Sequence, residues 1–501
     1  MSDTEPSGGA RMSSGVGRWI VLATVLGSGM AAIDATVVGI ALPSIGRQFH
    51  APFNVLQWVV TGYALALASL LLVGGALGDR YGRRRVFVIG IVWFTLASAA
   101  CALSVNPTML VATRVLQGIG AALLTPGSLA IIQASFDPRD RARAIGAWSG
   151  LGGVATAAGP LLGGYLIAAA SWRWIFVINV PLGAAVLWLT SRHVPESRDP
   201  AAAGRVDVPG AIAAVLALSG IVFGLIDGPS LGWSSPLVVG ALVAGGVSAV
   251  ALVVVERRSA APMLPMAFFS VRQFTVTNTV TLFVYGGLGG LLFLLPTELQ
   301  IVDHYTPLQS GASLLPLTLL MLALSARSGR LAGAIGPRLQ MAVGPIVVGA
   351  GLVLLARTTS DSSYVTGVLP GVTVLGLGLA TTVAPLTATA MAAIPVEHSG
   401  IASAFNNDVA RLGGLLAVAV LPAAAGITGH SYLEPAQFAI GFRTSIDVAA
   451  ACCALGGLLA AVGISNAAAT GTRPPRAHVG EHAFHCGLDA TPLATAHAFE
   501  P

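Results

Sequence analysis

The sequence predicts an all-α membrane protein with fourteen membrane-spanning helices. Only 9% of its 501 residues are Asp, Glu, Lys or Arg, whereas roughly 25% of residues are charged in soluble domains. A soluble protein of this size could not cover its surface with so few charges. The apolar residues also form long runs, which are typical of helices that cross a bilayer.

A helix needs about 20 apolar residues to cross the roughly 30 Å hydrocarbon core of a bilayer. Fourteen runs are close to this length: 19–42, 57–77, 85–104, 108–132, 144–169, 174–191, 208–226, 236–255, 273–297, 309–326, 339–356, 364–392, 400–427 and 444–465. Because this number is even, both termini are predicted on the same side of the membrane.

Arginine is distributed unevenly between the predicted loops. All 26 basic residues are Arg; with cytoplasmic termini, 20 of them lie in inner segments, 4 in outer loops and 2 within spans. Inner loops of membrane proteins are enriched in positive charge. Both termini of this multi-pass protein are therefore predicted on the cytoplasmic side of the cell membrane.

The composition also excludes several functions. A P-loop needs a lysine on the nucleotide phosphates, and the chain has no lysine, so an ATP-driven pump with its own nucleotide domain is excluded. Schiff-base chemistry is excluded for the same reason. Nothing supports nucleic-acid binding, and no obligate protein partner is indicated.

A repeat divides the chain into two halves. The segments that begin at Gly75 and Gly329 each start with G-x-L, have a second glycine seven residues later and then an arginine. Parallel repeats of this kind are a known transporter architecture. We predict a disordered cytoplasmic N-terminus at 1–18, a six-helix bundle at 19–192, an inserted pair of spans with linkers at 193–262, a second six-helix bundle at 263–465 and a disordered cytoplasmic tail at 466–501.

Four motifs occur in order along the first half. They are D-A-T-V-V-G-I-A-L-P at 34–43, the segment at 75–84, R-V-L-Q-G-I-G at 114–120 and G-P-L-L-G-G at 159–164; W-R-W-I-F-V-I-N-V-P follows at 172–181. With these motifs, residues 19–465 resemble the fourteen-span drug:proton antiporters of the major facilitator superfamily. The resemblance implies two six-helix bundles plus two inserted helices. It also implies that small amphipathic organic compounds are exported by alternating access, with the proton gradient in place of a cofactor.

Two positions depart from the pattern of that family. Members often have Asn where this chain has Gly39, and the second-half repeat has Gly333 where the first has Asp79. The second-half loop therefore cannot form the same salt bridge.

Asp34 and Arg114 are the only ionisable residues well inside spans 1–6. A carboxylate in mid-span costs roughly 2.5–3.5 kcal/mol, and Arg does not readily lose its proton. Counted at about 1.5 Å per residue, the two residues lie at similar depths. We predict one proton-coupling site, in which Arg114 tunes Asp34 and releases it on protonation. A purely structural contact between helices is the alternative.

The loop after span 2 is predicted to act as a gate. The arginines of this loop are explained if they only keep it on the cytoplasmic side. That explanation does not account for Asp79 or the glycines. We expect Asp79 to lie near a helix N-terminus or to pair with an inner-loop arginine, and so to latch the two halves. The predicted gating residues are Gly75, Asp79, Arg80, Gly82, Arg83 and Arg84.

By resemblance, the G-P-L-L-G-G motif is associated with antiporters rather than symporters. Its residues are Gly159, Pro160, Gly163 and Gly164. Small residues allow helices to approach closely, and Pro160 bends or loosens its helix. Close packing and a functional hinge are both compatible with this pattern.

Five further polar residues are candidates for the substrate path: Gln117, Glu298, Asp408, Arg411 and Asp447. Asp408 and Arg411 are three residues apart, so they can share a helix face. We expect them to neutralise each other.

Two alternatives remain beside a multidrug exporter: a dedicated exporter of one metabolite or antibiotic, and a membrane sensor or scaffold. Buried charges argue against the last of these. The tail holds His478, His482, His485 and Cys486, but an adventitious cluster is favoured and no metal site is predicted. The G-x-S-x-G letters at 228–232 lack the strand-to-helix context of a nucleophile elbow, so we predict no enzyme.

Overall fold

The computed structural model describes residues 9–198, 207–259, 266–359, 362–395 and 398–466. The part of the chain that it describes is built from sixteen α-helices and two short 3-10 helices. The α-helices are α1 (Gly15–Phe49), α2 (Phe53–Tyr81), α3 (Arg83–Ala102), α4 (Pro107–Ser135), α5 (Pro138–Ala169), α6 (Trp174–Val177), α7 (Asn179–His193), α8 (Val208–Leu231), α9 (Pro236–Arg258), α10 (Arg272–Ile301), α11 (Pro307–Ala312), α12 (Leu315–Ile335), α13 (Arg338–Ala356), α14 (Val368–Ala392), α15 (Ser399–Ala424) and α16 (Pro435–Gly463). The 3-10 helices are Met266–Ser270 and Ser431–Leu433.

The fourteen predicted spans are confirmed: the described residues contain fourteen helical segments that are long and apolar enough to cross a membrane. Several helices extend beyond the predicted runs; α16 begins nine residues before its run. The apolar run measures only the part of a helix that lies in hydrocarbon, whereas the helix continues until it reaches a cap. Ser14 caps α1 by accepting from Gly17 N, and Asn106 caps α4 by accepting from Met109 N.

Two predicted spans begin with a break in the helix. The sixth consists of α6 and α7, and the tenth consists of α11 and α12. Thr306 and Gln309 form a capping box at the start of α11. Such a box fixes a helix start by satisfying free backbone N–H groups, which the apolar pattern alone does not reveal.

The two halves pack their helices in the same way. In the first half α1 packs on α5 and α7, and α4 packs on α2 and α3; in the second half α10 packs on α15 and α16, and α14 packs on α12 and α13. The inserted helices α8 and α9 pack on each other, and α8 also contacts α2 and α15. The sequence repeat is therefore a repeat of packing.

The halves meet at one end of the molecule, which we call the closed end. Phe53 N donates to Gly429 O at 2.7 Å, and the Tyr432 hydroxyl donates to Ala51 O at 2.9 Å. Phe53 also packs its ring against Phe293, Tyr432 and Phe438.

At the other end, which we call the Arg-rich end because it carries residues 80–85, α5 and α12 are largely exposed. A Cβ atom added at Gly146, Gly150 or Gly153 would meet nothing within 4 Å. Since α5 packs closely on α11 but hardly touches α12, the two halves separate toward the Arg-rich end.

Candidate transport site

Asp34 is enclosed in the first half, where 1% of it is exposed. The α1 helix places it against α4 and α7. Arg114 Nη1 donates to Asp34 Oδ2 at 2.5 Å, and Gln117 Nε2 donates to Oδ1 at 2.9 Å. Asn179 Nδ2 also donates to Oδ1, at 3.3 Å. The carboxylate thus receives three hydrogen bonds, two of them from residues one turn apart on α4.

Arg114 is equally buried and is held from several sides. Its Nε donates to Val59 O of α2 at 3.0 Å, and its Nη1 also donates to Gln117 Oε1 at 2.7 Å. The guanidinium carbon lies 4.2 Å from the centre of the Tyr63 ring, a cation–π distance. The guanidinium therefore keeps partners that do not depend on Asp34.

The structure brings together Asp34 and Arg114, as the similar depths predict. It places Gln117 in the same cluster and not on the wall of the cavity. Asn179 was not predicted as a site residue, although it lies in the motif at 172–181. Its amide also donates to Ser98 Oγ at 3.0 Å. The contact with Ser98 of α3 therefore positions the amide that donates to Asp34.

A cavity of about 460 Å³ lies between the halves beside this cluster. It is lined by α1, α2, α4, α5, α10 and α15 and by Leu314, which precedes α12, and its wall is mainly apolar. Arg114 lines the cavity, whereas Asp34 does not. The polar and aromatic lining includes Thr36, Tyr63, Tyr285, Phe293, Asn407 and Arg411. A volume of this size suits a drug-sized organic molecule.

The glycine and proline residues of the antiporter motif hold α5 against its neighbours. A Cβ at Gly159 would collide with Thr36, and one at Gly163 would collide with Val37. One at Gly164 would collide with the backbone of Pro307 in α11. Pro160 lines the cavity. These small residues let α5 contact both α1 of its own half and α11 of the other.

The predicted gating loop is a tight turn at the Arg-rich end. Gly82 has φ +118°, a conformation that favours glycine. Arg83 Nη2 lies 2.8 Å from Asp79 Oδ1. Arg84 N donates to Glu196 Oε1 at 3.1 Å, and Arg85 Nε lies 3.7 Å from Glu196 Oε2.

The partner of Asp79 corrects the expectation that this residue latches the two halves. Asp79 pairs with an inner-loop arginine, as predicted, but that arginine lies in the same turn, and among the described residues no ion pair joins this loop to the second half. The loop instead contacts the segment after α7 through Glu196, which the sequence did not mark. Gly75 lies beside Pro126 of α4, and Arg80 stacks over Tyr81.

The expected pairing of Asp408 with Arg411 is wrong. No nitrogen of Arg411 lies within 4 Å of an Asp408 oxygen, and Asp408 Oδ1 is buried without a hydrogen-bond partner. Arg411 lines the cavity and Asp408 does not. Helical spacing brings two residues to one face, but it does not fix the directions in which long side chains turn.

Glu298 and Asp447 do not line the cavity either. Glu298 is buried near the closed end of α10, with Oε2 unpartnered. Asp447 accepts from Arg357 Nη1 at 3.1 Å in a partly exposed pair. The His-rich tail lies outside the described residues.

Two packed helical halves, an inserted helix pair and a drug-sized cavity between the halves define a multi-pass membrane transporter. Residues 24–418 match the profile of the Major Facilitator Superfamily. The chain belongs to this family, and it is a transporter and not an enzyme.

Relatives with assigned names agree with this membership. The chain is 36% identical over 416 residues to the multidrug resistance protein Stp of Mycobacterium tuberculosis, which covers 83% of this chain and 77% of the relative. It is 37% identical over 427 residues to the tetracenomycin C resistance and export protein of Streptomyces glaucescens, covering 83% and 78%.

Solved structures agree on the fold. A bacterial homolog of the human lysosomal transporter Spinster superposes with a TM-score of 0.64 at 18% identity, covering 90% of this chain and 97% of that one. The transporter PepTSo superposes with a TM-score of 0.61 at 16% identity, covering 88% and 97%.

Proposed function

We propose that this protein is a proton-coupled antiporter that exports amphipathic organic compounds across the cytoplasmic membrane by alternating access. The observation that carries the proposal is the buried ion pair of Asp34 and Arg114 at the wall of the central cavity. The named relatives are drug and antibiotic resistance proteins, which supports export as the direction of transport.

The charge pattern supports an orientation. With the Arg-rich end in the cytoplasm, as positive inner loops require, the closed end faces outward. The cavity then widens toward the cytoplasm, where an exporter takes up its substrate. Export requires the contacts around Phe53 and Tyr432 to open and the Arg-rich end to close.

The ion pair supplies a physical route for coupling. A proton on Asp34 removes the negative partner of Arg114, while Val59 O, Gln117 Oε1 and the Tyr63 ring still hold the guanidinium. Because Arg114 lines the cavity, this change reaches the surface that binds substrate. Because α1 carries Asp34 and contacts α10 and α11, the change also affects a helix that borders the other half.

The central experiment uses purified Asp34→Asn in proteoliposomes. The variant mimics a permanently protonated carboxyl group, so it is expected to lose efflux driven by a pH gradient and to retain exchange of substrate for substrate. Glu434→Gln, which removes an exposed carboxylate at the closed end, is the matched control and is expected to keep both activities. Full gradient-driven efflux by Asp34→Asn would overturn the coupling proposal.

A dedicated exporter of one antibiotic is a second candidate. It is favoured by relatives whose names refer to single compounds, such as the puromycin resistance protein pur8 of Streptomyces alboniger, 36% identical over 409 residues. A susceptibility panel on cells with and without the protein separates the two. Resistance to many unrelated amphipathic compounds supports multidrug export, and resistance to one scaffold supports the dedicated exporter.

A further inference from the structure

Arg411 and Arg114 both lie deep within the helix bundles, but the two arginines differ in their partners. Arg411 stands in the middle of α15, twelve residues after the first residue of that helix and thirteen before the last. It forms no hydrogen bond or ion pair with any described residue, whereas Arg114 donates three hydrogen bonds, one of which is its ion pair with Asp34. An arginine keeps its charge even in an apolar setting. A guanidinium at mid-membrane depth therefore calls for an anionic or strongly accepting partner.

The position of Arg411 shows where that partner can lie. Arg411 lines the central cavity, and so does Asn407, one turn earlier on the same face of α15. Asp408, the nearest acidic residue along the helix, is outside the lining and farther than 4 Å from the guanidinium. The described carboxylates therefore leave this charge free to meet a molecule in the cavity.

The aromatic and aliphatic lining of the cavity indicates the shape of the molecule that it can bind. Tyr63 of α2 lines it from the first half, and Tyr285, Leu292 and Phe293 of α10 line it from the second. Aromatic and aliphatic walls bind flat hydrophobic ring systems through their large contact area. Arg114 is paired with Asp34, so Arg411 is the arginine of the lining that has no ion-pair partner among the described residues.

We propose that the cavity binds aromatic compounds that carry an acidic group, such as a carboxylate, phenolate or enolate, and that Arg411 binds that group. This inference deepens the proposed function by naming the substrate class of the same cavity. A guanidinium can donate two parallel hydrogen bonds to a carboxylate, and the rings lie against the aromatic wall. Exchange of one such anion for one entering proton is driven by a membrane potential that is negative inside as well as by the pH gradient.

The test compares anthracene-9-carboxylate with anthracene-9-carboxamide, which has the same ring system and nearly the same size but no charge. Binding is measured by equilibrium dialysis at neutral pH, with the full-length protein in nanodiscs and empty nanodiscs subtracted. The wild-type protein is expected to bind the carboxylate at least about tenfold more tightly, which corresponds to about 1.4 kcal/mol. Arg411→Gln is expected to remove this preference, and Arg411→Lys to keep most of it.

Arg357→Gln is the matched control, because it removes the same charge from an exposed arginine outside the cavity lining. It is expected to leave both affinities within about twofold. Undiminished carboxamide binding by Arg411→Gln shows that this variant is folded and that its cavity is intact. If Arg411→Gln binds neither probe, the test rests on Arg411→Lys. An equal affinity of Arg411→Lys for the two probes contradicts the proposal.

Two further results would also overturn it. One is equal binding of the two probes by the wild-type protein, or binding of neither. The other is a carboxylate preference that survives in Arg411→Gln. Dialysis needs no proton gradient, so its outcome is independent of the efflux test on Asp34→Asn. Full gradient-driven efflux by Asp34→Asn, together with intact carboxylate binding by the wild-type protein, would refute the proposed antiport alone.

Discussion

The two halves use matching helices in different ways. In the first half, α1 carries a carboxylate that forms a buried ion pair with α4. In the second half, α10 carries neutral polar groups instead: Asn406 Nδ2 of α15 donates to Asn278 Oδ1 at 3.0 Å and to Thr281 Oγ1 at 2.7 Å. The first helix of one half thus forms a titratable pair with α4, and the first helix of the other forms a neutral network with α15. The proposed proton coupling is therefore assigned to the first half, where the buried carboxylate has a charged partner.

The turns at the Arg-rich end show the same division. Gly82 and Gly336 both have positive φ, and each lies against a residue that follows the last helix of its half, Glu196 or Asn466. In each turn a backbone N–H donates to that residue: Arg84 N to Glu196 and Arg338 N to Asn466. The repeat preserves backbone geometry, but only the first half has an acidic partner.

The largest expected loss of stability follows from breaking the ion pair of Asp34 and Arg114. Arg114→Ala leaves Asp34 buried without its charged partner, so the free energy of unfolding is expected to fall by about 3–5 kcal/mol. Arg411→Ala removes no hydrogen bond or ion pair with a described residue and is expected to change the free energy of unfolding by less than about 1 kcal/mol. Chemical denaturation of the two purified variants measures the difference.

The double variant Asp34→Asn/Arg114→Ala sharpens this test. Because it removes the unpaired charge, it is expected to be more stable than Arg114→Ala alone, as non-additive effects within one site require. Equal stability of the double variant and Arg114→Ala would mean that the pair contributes through packing and not through charge.

The turn glycines give an intermediate effect. Gly82→Ala forces a side chain into a conformation that favours glycine and brings its Cβ against Glu196, so a loss of about 1–3 kcal/mol is expected. Gly333→Ala lies in α12 with nothing within 4 Å of the added atom and is expected to be neutral or slightly stabilising. Melting temperatures in detergent compare the two. Equal losses would show that the turn conformation is not the cause.

Asp79→Asn is expected to change stability little, since exposed pairs of this spacing contribute only about 0.3–0.5 kcal/mol. Its transport rate is nevertheless expected to fall severalfold, because Arg83 loses the partner that fixes the turn during the conformational change. Efflux rates at equal protein amounts measure this. A normal transport rate in Asp79→Asn would mean that the loop only sets the orientation of the protein in the membrane.

The smallest effect concerns corresponding loops at the closed end. Each loop after the first helix of a half contains a histidine with positive φ, His50 or His304, but only the second loop has an acid, Asp303. Burial raises the pKa of Asp303 from 3.8 to about 6. The folded chain therefore binds this proton more tightly than the unfolded chain, and stability rises as the pH falls from about 6 to about 4.

Melting temperatures at pH 7 and pH 5 test this contribution. The wild-type protein is expected to gain more from acidification than Asp303→Asn does, because the amide cannot take up the proton. An identical gain in both proteins would assign the pH effect to other groups.

The sequence by itself determined the helices, their number and the repeat. Apolar run length and caps are local properties, and a run of about 20 apolar residues has few stable alternatives in a bilayer. The similar depths of Asp34 and Arg114 also follow from counting along single helices. These features need no knowledge of which helices touch.

Only the tertiary structure decided how charges are partnered. The predicted seventh run ends at residue 226 because Asp227 is charged, yet α8 continues to Leu231. Asp227 is buried there because Asn54 and Trp58 of α2 each donate to its carboxylate at 2.8 Å. Likewise, Glu196 at the gating turn and the free Arg411 at the cavity depend on contacts between distant segments. Helical periodicity assigns a residue to a face, but the neighbour on that face is set by the packing of the whole bundle.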